Sequence, residues 1–482
     1  MVETGTSYQL RIKDLQKRPE STIQKVMRVR EKKETQNMTR GPIARQLISF
    51  AIPLMFGNIF QMLYNTVDSI VVGNFVGTEA LAAIGATTMV VNLAVFFFNG
   101  FSVGAGVAIS NAFGAGNAKD LHTTLQTVMT TTFIACVLFT VVGMAGVKTM
   151  LRLMDTPSDV FDEATTYLVI YFAGISGLLV YNIGSAILRA VGDSRRPLFY
   201  LVITSILNIF LDLLFVLVFH LGIAGVAYAT IISQACSACM IMFLLLHTDA
   251  VYRFTWKDMR IDSASFRKVM LLGLPNGIQS VLTAFSNIFV QGYINYFGSV
   301  CMAGWGCYNK VDSFIFLPVQ SMAMAATTFV GQNDGAGNTE RVNKGTWVAM
   351  GLSVSVVAVI ATLIWVFAPS AVRLFSQDEQ VIRYGTAFLR LNSFFLLCND
   401  INHVLAAALR GRGDSLGPMV IMLVGFVAIR QTYLFLVTRF VANTPAIVGF
   451  GYPVGWMATC VIEVVYFIRK WSKSDRDVVV QA

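Results

Sequence analysis

The sequence predicts an all-α membrane protein of twelve transmembrane helices, arranged as two related six-helix units. Hydrophobic residues make up 55% of the 482-residue chain and charged residues only 13%, which is roughly half the charged share of a soluble domain. Apolar runs of roughly 20 residues recur along the chain, and each can cross about 30 Å of hydrocarbon. These spans must be helices, because an open strand edge leaves backbone groups unsatisfied in lipid.

Six apolar segments lie in each half of the chain. The first six are near residues 48–72, 86–112, 124–147, 163–188, 196–219 and 222–246. The second six are near residues 266–296, 303–331, 345–367, 384–409, 417–438 and 447–469. The seven cysteines fall in or beside these segments, so we expect packed or lipid-facing thiols and no metal site.

The two halves carry the same short motifs at one constant spacing. Gly114-Ala-Gly-Asn117 returns as Gly335-Ala-Gly-Asn338, 221 residues later. Arg189-Ala-Val-Gly-Asp-Ser194 returns as Arg410-Gly-Arg-Gly-Asp-Ser415 at the same spacing of 221 residues. Two like-oriented copies of one unit imply halves related by an axis along the bilayer normal, with a site between them. Transporters are more often built this way than enzymes.

The repeat divides the chain into five predicted regions. Residues 1–40 are basic and lack an apolar run, so we expect a disordered cytosolic tail. Residues 41–246 form an N-lobe and residues 266–470 a C-lobe. The charged segment 247–265 joins them as a cytosolic linker, and residues 471–482 form a cytosolic C-terminal tail.

The net charge of +9 reflects orientation in the membrane rather than nucleic-acid binding. With the N-terminus inside, inside segments hold 28 of the 36 Lys and Arg residues and outside loops hold five. This bias follows the positive-inside rule and places both termini in the cytosol. We expect a multi-pass protein of the cell membrane, inner or plasma, whose basic excess faces the anionic inner leaflet.

One polar stripe runs along the first predicted span. Asn58, Gln61, Asn65 and Asp68 are spaced three or four residues apart and therefore share one helix face. Such a face must contact protein or water, since ionisable groups within a span are costly and mark functional sites. A hydrogen-bonded structural carboxylate near the end of the span is the alternative for Asp68.

The fifth predicted span carries Asn208 and Asp212 four residues apart, again on one face. If Asp212 and Asp68 meet in a desolvated pocket, they titrate as one unit. Such a pair can carry a proton at neutral pH or hold a monovalent cation. A structural role remains the alternative for Asp212 also.

Five further polar residues within spans are candidates for a substrate cavity or a secondary polar cluster. They are Asn182, Gln279, Asp312, Asp400 and His403. Asp400 and His403 share a helix face, and an internal structural network is an equally good interpretation of that cluster. None of these positions belongs to a HExxH or GxSxG motif, so the sequence predicts no enzyme, metal site or cofactor.

Several motifs resemble those of the MATE (multidrug and toxin extrusion) transporters over about residues 40–470. They are the first span through Asp68, Gly77-Thr-Glu-Ala-Leu-Ala-Ala-Ile-Gly85, Gly104-x-Gly106, Asn208-x-x-x-Asp212 and Val330-Gly-Gln-Asn-x-Gly-Ala-Gly337. The resemblance implies two six-helix lobes related by a pseudo-twofold axis and arranged as a V around a central cavity. It also implies cation-coupled antiport.

Within that family the chain is similar to the DinF-like branch. That resemblance implies a coupling-ion site formed by Asp68 and Asp212, with Asn208 and Asn65 beside them. The branch with an acidic C-lobe site has Glu where this chain has Thr283. We therefore expect H⁺ as the coupling ion and Na⁺ as the second choice.

The predicted function is export of drugs or of lipophilic or cationic metabolites by alternating access. The alternative is a lipid-linked precursor flippase of the same superfamily, disfavoured by twelve spans and few basic residues in mid-span. With 36 Phe and 21 Met in the chain, we expect an apolar, aromatic cavity suited to lipophilic cations. The expected partners are a small-molecule substrate and the lipid bilayer, with no nucleic acid, and the expected state is a monomer.

Overall fold

The computed structural model describes residues 37–481, apart from the side chains at 65, 69, 78–82, 86, 89 and 472–481. These residues form helices joined mostly by short turns, with a longer connection over residues 248–262 that contains the 3-10 turn Trp256–Asp258. No strand occurs among the described residues, as the sequence predicts. The helices are α1 (Ile43–Val71), α2 (Thr78–Gly114), α3 (Ala118–Leu153), α4 (Ser158–Ala190), α5 (Arg195–Leu213), α6 (Gly222–His247), α7 (Ser263–Asn295), α8 (Ser299–Gly335), α9 (Thr339–Arg373), α10 (Glu379–Ser393), α11 (Leu396–Gly411), α12 (Leu416–Leu423), α13 (Arg430–Phe440), α14 (Pro445–Gly449) and α15 (Gly451–Gln481).

Eleven helical segments in the described part of the chain are long and apolar enough to cross a membrane. The tenth predicted span, 384–409, differs because it is divided between α10 and α11. Asn392 donates to the carbonyl of Phe388 (2.8 Å) and Ser393 to that of Arg390 (3.1 Å). Such side-chain bonds compete with the helical ladder and favour a break.

Three π-helical segments continue or join these helices. They are Val72–Val76, Leu214–Val218 and Val424–Ile429. Each lies within a few residues of a charged side chain inside a span, namely Asp68, Asp212 and Arg430. π segments inside α-helices are rare and occur frequently at functional sites, so these three residues mark where function should be sought.

The repeated Gly-Ala-Gly-Asn motifs form two equivalent turns. Gly116 and Gly337 adopt φ of 66° and 70°, a left-handed conformation that glycine adopts without steric cost. Asn117 and Asn338 then cap α3 and α9, because each side chain accepts from the backbone N–H three residues on. The motifs therefore reverse the chain at helix ends.

The two halves of the chain cross where α2 and α8 end. A Cβ on Gly114 would lie 1.9 Å from the carbonyl oxygen of Gln332, and a Cβ on Gly335 would lie 2.0 Å from that of Asn111. Residues 111 and 114 correspond to residues 332 and 335 at the 221-residue spacing, so the contact is reciprocal. We call this contact the α2–α8 crossing. It tolerates only glycine and shows the two-fold relation of the halves directly.

The backbone of Met38 is fixed at the α2–α8 crossing. Its N–H donates to Gln332 Oε1 (2.9 Å), and its carbonyl accepts from Asn333 Nδ2 (3.1 Å) and Arg341 Nε (3.1 Å). Gln332 Nε2 also donates to the carbonyl of Ala190 (2.8 Å). Residues 1–36 of the predicted disordered tail lie outside the described residues. Met38, which the prediction also placed in that tail, is instead packed against α8, because the side chains of Gln332 and Asn333 bind its backbone. We call this end of the bundle the N-terminal face.

Candidate functional site

The predicted carboxylate pair is brought together inside the first half of the bundle. Asp68 of α1 and Asp212 of α5 place their carboxyl groups within hydrogen-bonding range of one another. Asp212 is fully buried, and neither of its oxygens has a donor among the described residues. One oxygen of Asp68 is likewise buried without a donor. Two carboxylates in this position cannot satisfy each other as anions, since both only accept.

A small polar cavity of about 50 Å³ lies one helical turn from Asp212, because Asn208 of α5 lines it. Gln61, Asn182 and Asn208 line it, together with five Ser and Thr residues of α5 and α6. Asn208 is 2% exposed, and both polar atoms of its amide lack a partner. The volume suits a few water molecules or one hydrated ion. Asn65 lies on α1 near the pair, but its side chain is outside the described part of the chain.

Buried acceptors without donors indicate what this site can do chemically. A buried carboxylate left unpaired costs several kcal/mol, and native structures rarely tolerate such groups. A proton between Asp68 and Asp212, or a cation held by both, removes that cost. The arrangement is therefore suited to bind and release a single small cation.

A larger cavity of about 480 Å³ lies between the two halves of the chain. Its lining residues are Asn58, Phe96, Asn99, Gly100, Ser102, Val103, Asn182, Arg189, Asn276, Gln279, Ser280, Thr283, Ala284, Asn287, Asp312, Phe316, Gln320, Ala323, Met324, Thr327, Asn399, His403, Arg410, Met422, Phe426, Arg430, Tyr452 and Trp456. We call it the central cavity, and its volume lies in the range of small-molecule sites. Asn182 also lines the small cavity that Asn208 lines, so the two cavities share a wall.

Most of the candidate cavity residues line the central cavity, but the predicted Asp400–His403 cluster is divided. Asn58, Asn182, Gln279, Asp312 and His403 all face it, whereas Gln61 lines only the small cavity.

Asp400 is fully buried outside the central cavity and accepts from Ser353 Oγ at 2.5 Å. His403 instead lies edge-on to Phe316 at 5.0 Å. Residues three apart on a helix point in directions that differ by about 60°, which separates the two.

Sequence reasoning missed the three arginines of the central cavity. Arg189 and Arg410 lie in the last turns of α4 and α11, and Arg430 begins α13. The predicted spans 163–188 and 384–409 end just before the first two, because α4 and α11 extend further than their apolar runs. Their identical place in the two repeats was the signal that could have found them.

The lining also differs from the expected apolar and aromatic surface. Aromatic side chains are present, among them Phe316, Tyr452 and Trp456, but amide side chains outnumber them and the arginines add charge. Composition of the whole chain was a poor guide, since most Phe and Met residues pack inside the bundle or lie on its outer surface.

Two related helical halves around a shared cavity, with a buried pair of carboxyl groups in one half, are typical of a membrane transporter of the secondary type. The MatE family model matches residues 53–214 and 275–432, one segment in each half. The chain therefore belongs to the MatE family, the MATE transporters that its motifs resemble.

Relatives and solved structures agree with this assignment. A probable multidrug resistance protein, YpnP, of Bacillus subtilis is 29% identical over 436 residues, covering 90% of this chain and 97% of that protein. A protein named FAD transporter, from Shewanella oneidensis, is 24% identical over 367 residues, covering 74% and 80%. An outward-facing multidrug resistance MATE transporter has the same fold, with a TM-score of 0.86 and 22% identity over 92% of this chain and 99% of that one.

Family membership confirms several of the sequence predictions. The protein is a multi-pass membrane transporter of small molecules and not an enzyme, and the flippase alternative is not favoured. Assignment to the DinF-like branch and the roles of the carboxylates stay predictions.

Proposed function

We propose that the protein is a cation-coupled exporter, with H⁺ as the preferred coupling ion and Na⁺ as the second choice. The observation that carries this proposal is the pair of facing carboxyl groups of Asp68 and Asp212, whose buried oxygens lack donors. A bound cation satisfies the pair, and its loss leaves two like charges in a medium of low dielectric constant. Occupancy of this site therefore carries a large free-energy difference that can drive a conformational change.

Helix α1 connects the pair to the opposite half of the chain. Asp68 lies near its end, while Leu47 and Phe50 near its start belong to one apolar cluster with Phe329 and Val330 of α8. A shift of α1 on cation release therefore acts on α8 and on the α2–α8 crossing. A ligand moves an equilibrium only through its different affinity for the two states. Here the two states are a closed and a separated α2–α8 crossing.

The described conformation is closed at the N-terminal face by the α2–α8 crossing. The distribution of Lys and Arg supports a cytosolic position for this face, and we propose that both termini lie on that side of the cell membrane. We propose that export alternates between this conformation and one in which the crossing separates. The protein acts as a monomer, because both halves of the central cavity come from one chain.

The shared wall between the two cavities supports exchange of cation and substrate. Asn182 contributes to both, so its amide can turn from one occupant to the other. Entry of a cation at the carboxylate pair then weakens the hold on substrate in the central cavity. Reciprocal weakening of this kind is the thermodynamic requirement for antiport.

Vesicle transport tests the proposal with a matched control inside the protein. Proteoliposomes loaded with a xanthene dye receive an imposed gradient of pH or of Na⁺, and dye efflux is followed by fluorescence. We expect Asp68→Asn and Asp212→Asn to abolish gradient-driven efflux while dye binding to the purified protein persists. Asp400→Asn, a buried carboxylate bonded to Ser353, should retain efflux. Normal efflux in Asp212→Asn with loss in Asp400→Asn would place coupling in the second half and refute the proposal.

A further inference from the structure

The charge of the central cavity points to a substrate class different from the one that the sequence suggested. Three arginines line the cavity, Arg189 from the first half and Arg410 and Arg430 from the second. Among the described residues, Asp312 is the only acidic side chain of the lining, so the described lining has a formal excess of two positive charges before His403 is considered. Arg189 and Arg410 are counterparts in the repeat, and therefore approach the cavity from related positions in the two halves.

These arginines have no ion-pair partner in the part of the chain that the structure describes. Among the described residues, none of the three has a carboxylate oxygen within the 4.0 Å limit of an ion pair. Glu463 is the carboxylate that acts on Arg410 from a distance, and it lies outside the lining with both oxygens unpartnered. The positive charge of the cavity is therefore not neutralised by direct contacts of the protein.

The guanidinium groups also retain free donors. Arg410 donates one N–H to Gln279 Oε1 at 2.9 Å, but its Nε is buried without an acceptor. Arg430 is 2% exposed and lies over the ring of Tyr452 at 4.8 Å, yet its Nε and one terminal nitrogen have no acceptor. Guanidinium donors in a fixed fork match the oxygens of a carboxylate or phosphate.

A lipophilic cation would be disfavoured in this environment. It would add to an unneutralised positive field and leave the arginine donors unsatisfied, and both effects cost free energy in a desolvated site. An organic anion removes both costs. The aromatic rings of Tyr452 and Trp456, which lie edge to face at 5.6 Å, provide a surface for a planar ring.

We propose that the central cavity binds a planar aromatic compound carrying about two negative charges, on carboxylate or phosphate groups. This inference deepens the proposed export function and rests on it, because it names the substrate class of the same cavity. The amide side chains of Asn276, Gln279 and Asn399 supply donors and acceptors for further polar substituents of such a compound.

Equilibrium binding to the purified full-length protein in detergent tests the inference without any ion gradient. Fluorescein, as its dianion, and a rhodamine ester cation share one xanthene ring and differ in charge. We expect fluorescein to bind at least about tenfold more tightly. Competition by umbelliferyl phosphate and by an aromatic dicarboxylate separates phosphate from carboxylate recognition, and displacement by either supports the proposal. Equal or tighter binding of the rhodamine ester would overturn it.

Arginine variants show whether the charge of the cavity causes the preference. Arg430→Gln and Arg410→Gln should each weaken fluorescein binding by about tenfold and leave rhodamine binding unchanged or stronger. Arg430→Lys should retain most of the affinity for fluorescein. Arg439→Gln is the matched control, because Arg439 lies on the same helix α13 but is exposed and outside the cavity. Size-exclusion profiles and melting temperatures identify a variant that fails to fold. If Arg430→Gln fails to fold, binding of the two dyes to Arg410→Gln decides whether the cavity charge causes the preference.

The two proposals fail in different ways. Fluorescein binding that depends on the arginines, without gradient-driven efflux, would support the substrate class and refute the coupling. Gradient-driven efflux of rhodamine, with no binding of fluorescein, would support the coupling and refute the substrate class. Arginine variants that weaken both dyes equally would show a structural role and overturn the inference.

Discussion

Substitution of Gly114 by valine should open the N-terminal face. A Cβ at this position would lie 1.9 Å from the Gln332 carbonyl oxygen, whereas non-bonded heavy atoms prefer about 3.5 Å. The backbones of α2 and α8 would have to separate by more than about 1.5 Å to restore that distance. Overpacking of this kind costs about 1–3 kcal/mol. Since the cost falls only on the closed conformation, the equilibrium should shift by about 5- to 150-fold toward the conformation with a separated crossing.

Labelling of a cavity cysteine measures this shift. Thr327 lines the central cavity, and Thr327→Cys in a background without the seven native cysteines provides one reactive thiol. With the N-terminal face exposed to the medium, an impermeant maleimide should label it slowly in the parent protein. In the Gly114→Val variant, labelling should be much faster.

Gly351→Val is the matched control for this substitution. Gly351 lies on α9, where an added Cβ meets no atom within 4 Å, so we expect no change in labelling. Equal labelling of the parent and the Gly114→Val variant would refute the role of the α2–α8 crossing as a closed gate.

Two further predictions concern the same face. Ser110→Cys combined with Gly331→Cys should form a disulfide, because a Cβ at residue 331 would lie 3.2 Å from that of Ser110, close to disulfide geometry. Oxidation should stop efflux, and a reductant should restore it. Efflux that survives complete cross-linking would contradict alternating access at this crossing. Gln332→Ala should destabilise the closed face by about 1–3 kcal/mol, because the Met38 N–H loses its acceptor and the Ala190 carbonyl loses its donor. Limited proteolysis around residue 40 should then be faster than in the parent protein. An unchanged cleavage rate would refute this role of Gln332.

Much of the fold could be predicted from the sequence because its physical causes are local. Apolar run length gives the spans, and the constant spacing of glycine turns gives the repeat. The polar stripe that contains Asp68 and the spacing of Asn208 and Asp212 identified one face on each of two helices. Only the family resemblance indicated that these two faces meet. Helical periodicity shows which side chains share a face, but it does not show which helix packs against that face.

The parts that could not be predicted depend on contacts between distant segments. Arg189 and Arg410 look like loop residues until the ends of α4 and α11 are known, and only packing of the halves turns them toward a cavity. Asp400 and His403 share a face by spacing, yet different neighbouring helices divide them. The reciprocal contact of Gly114 and Gly335 was equally invisible, although their shared place in the repeat was noted.

In the proposed mechanism, substrate binding and occupation of the carboxylate pair by one cation exclude each other. Proton release on addition of a transported dye to the purified protein, in weakly buffered detergent solution, measures this directly. We expect about one proton to be released per dye molecule bound, because a coupled pair of carboxyl groups shares one proton. The Asp212→Asn variant should bind the dye without releasing a proton. Dye binding by the parent protein with no proton release and no dependence on Na⁺, or equal release by Asp212→Asn, would show that dye and cation do not compete.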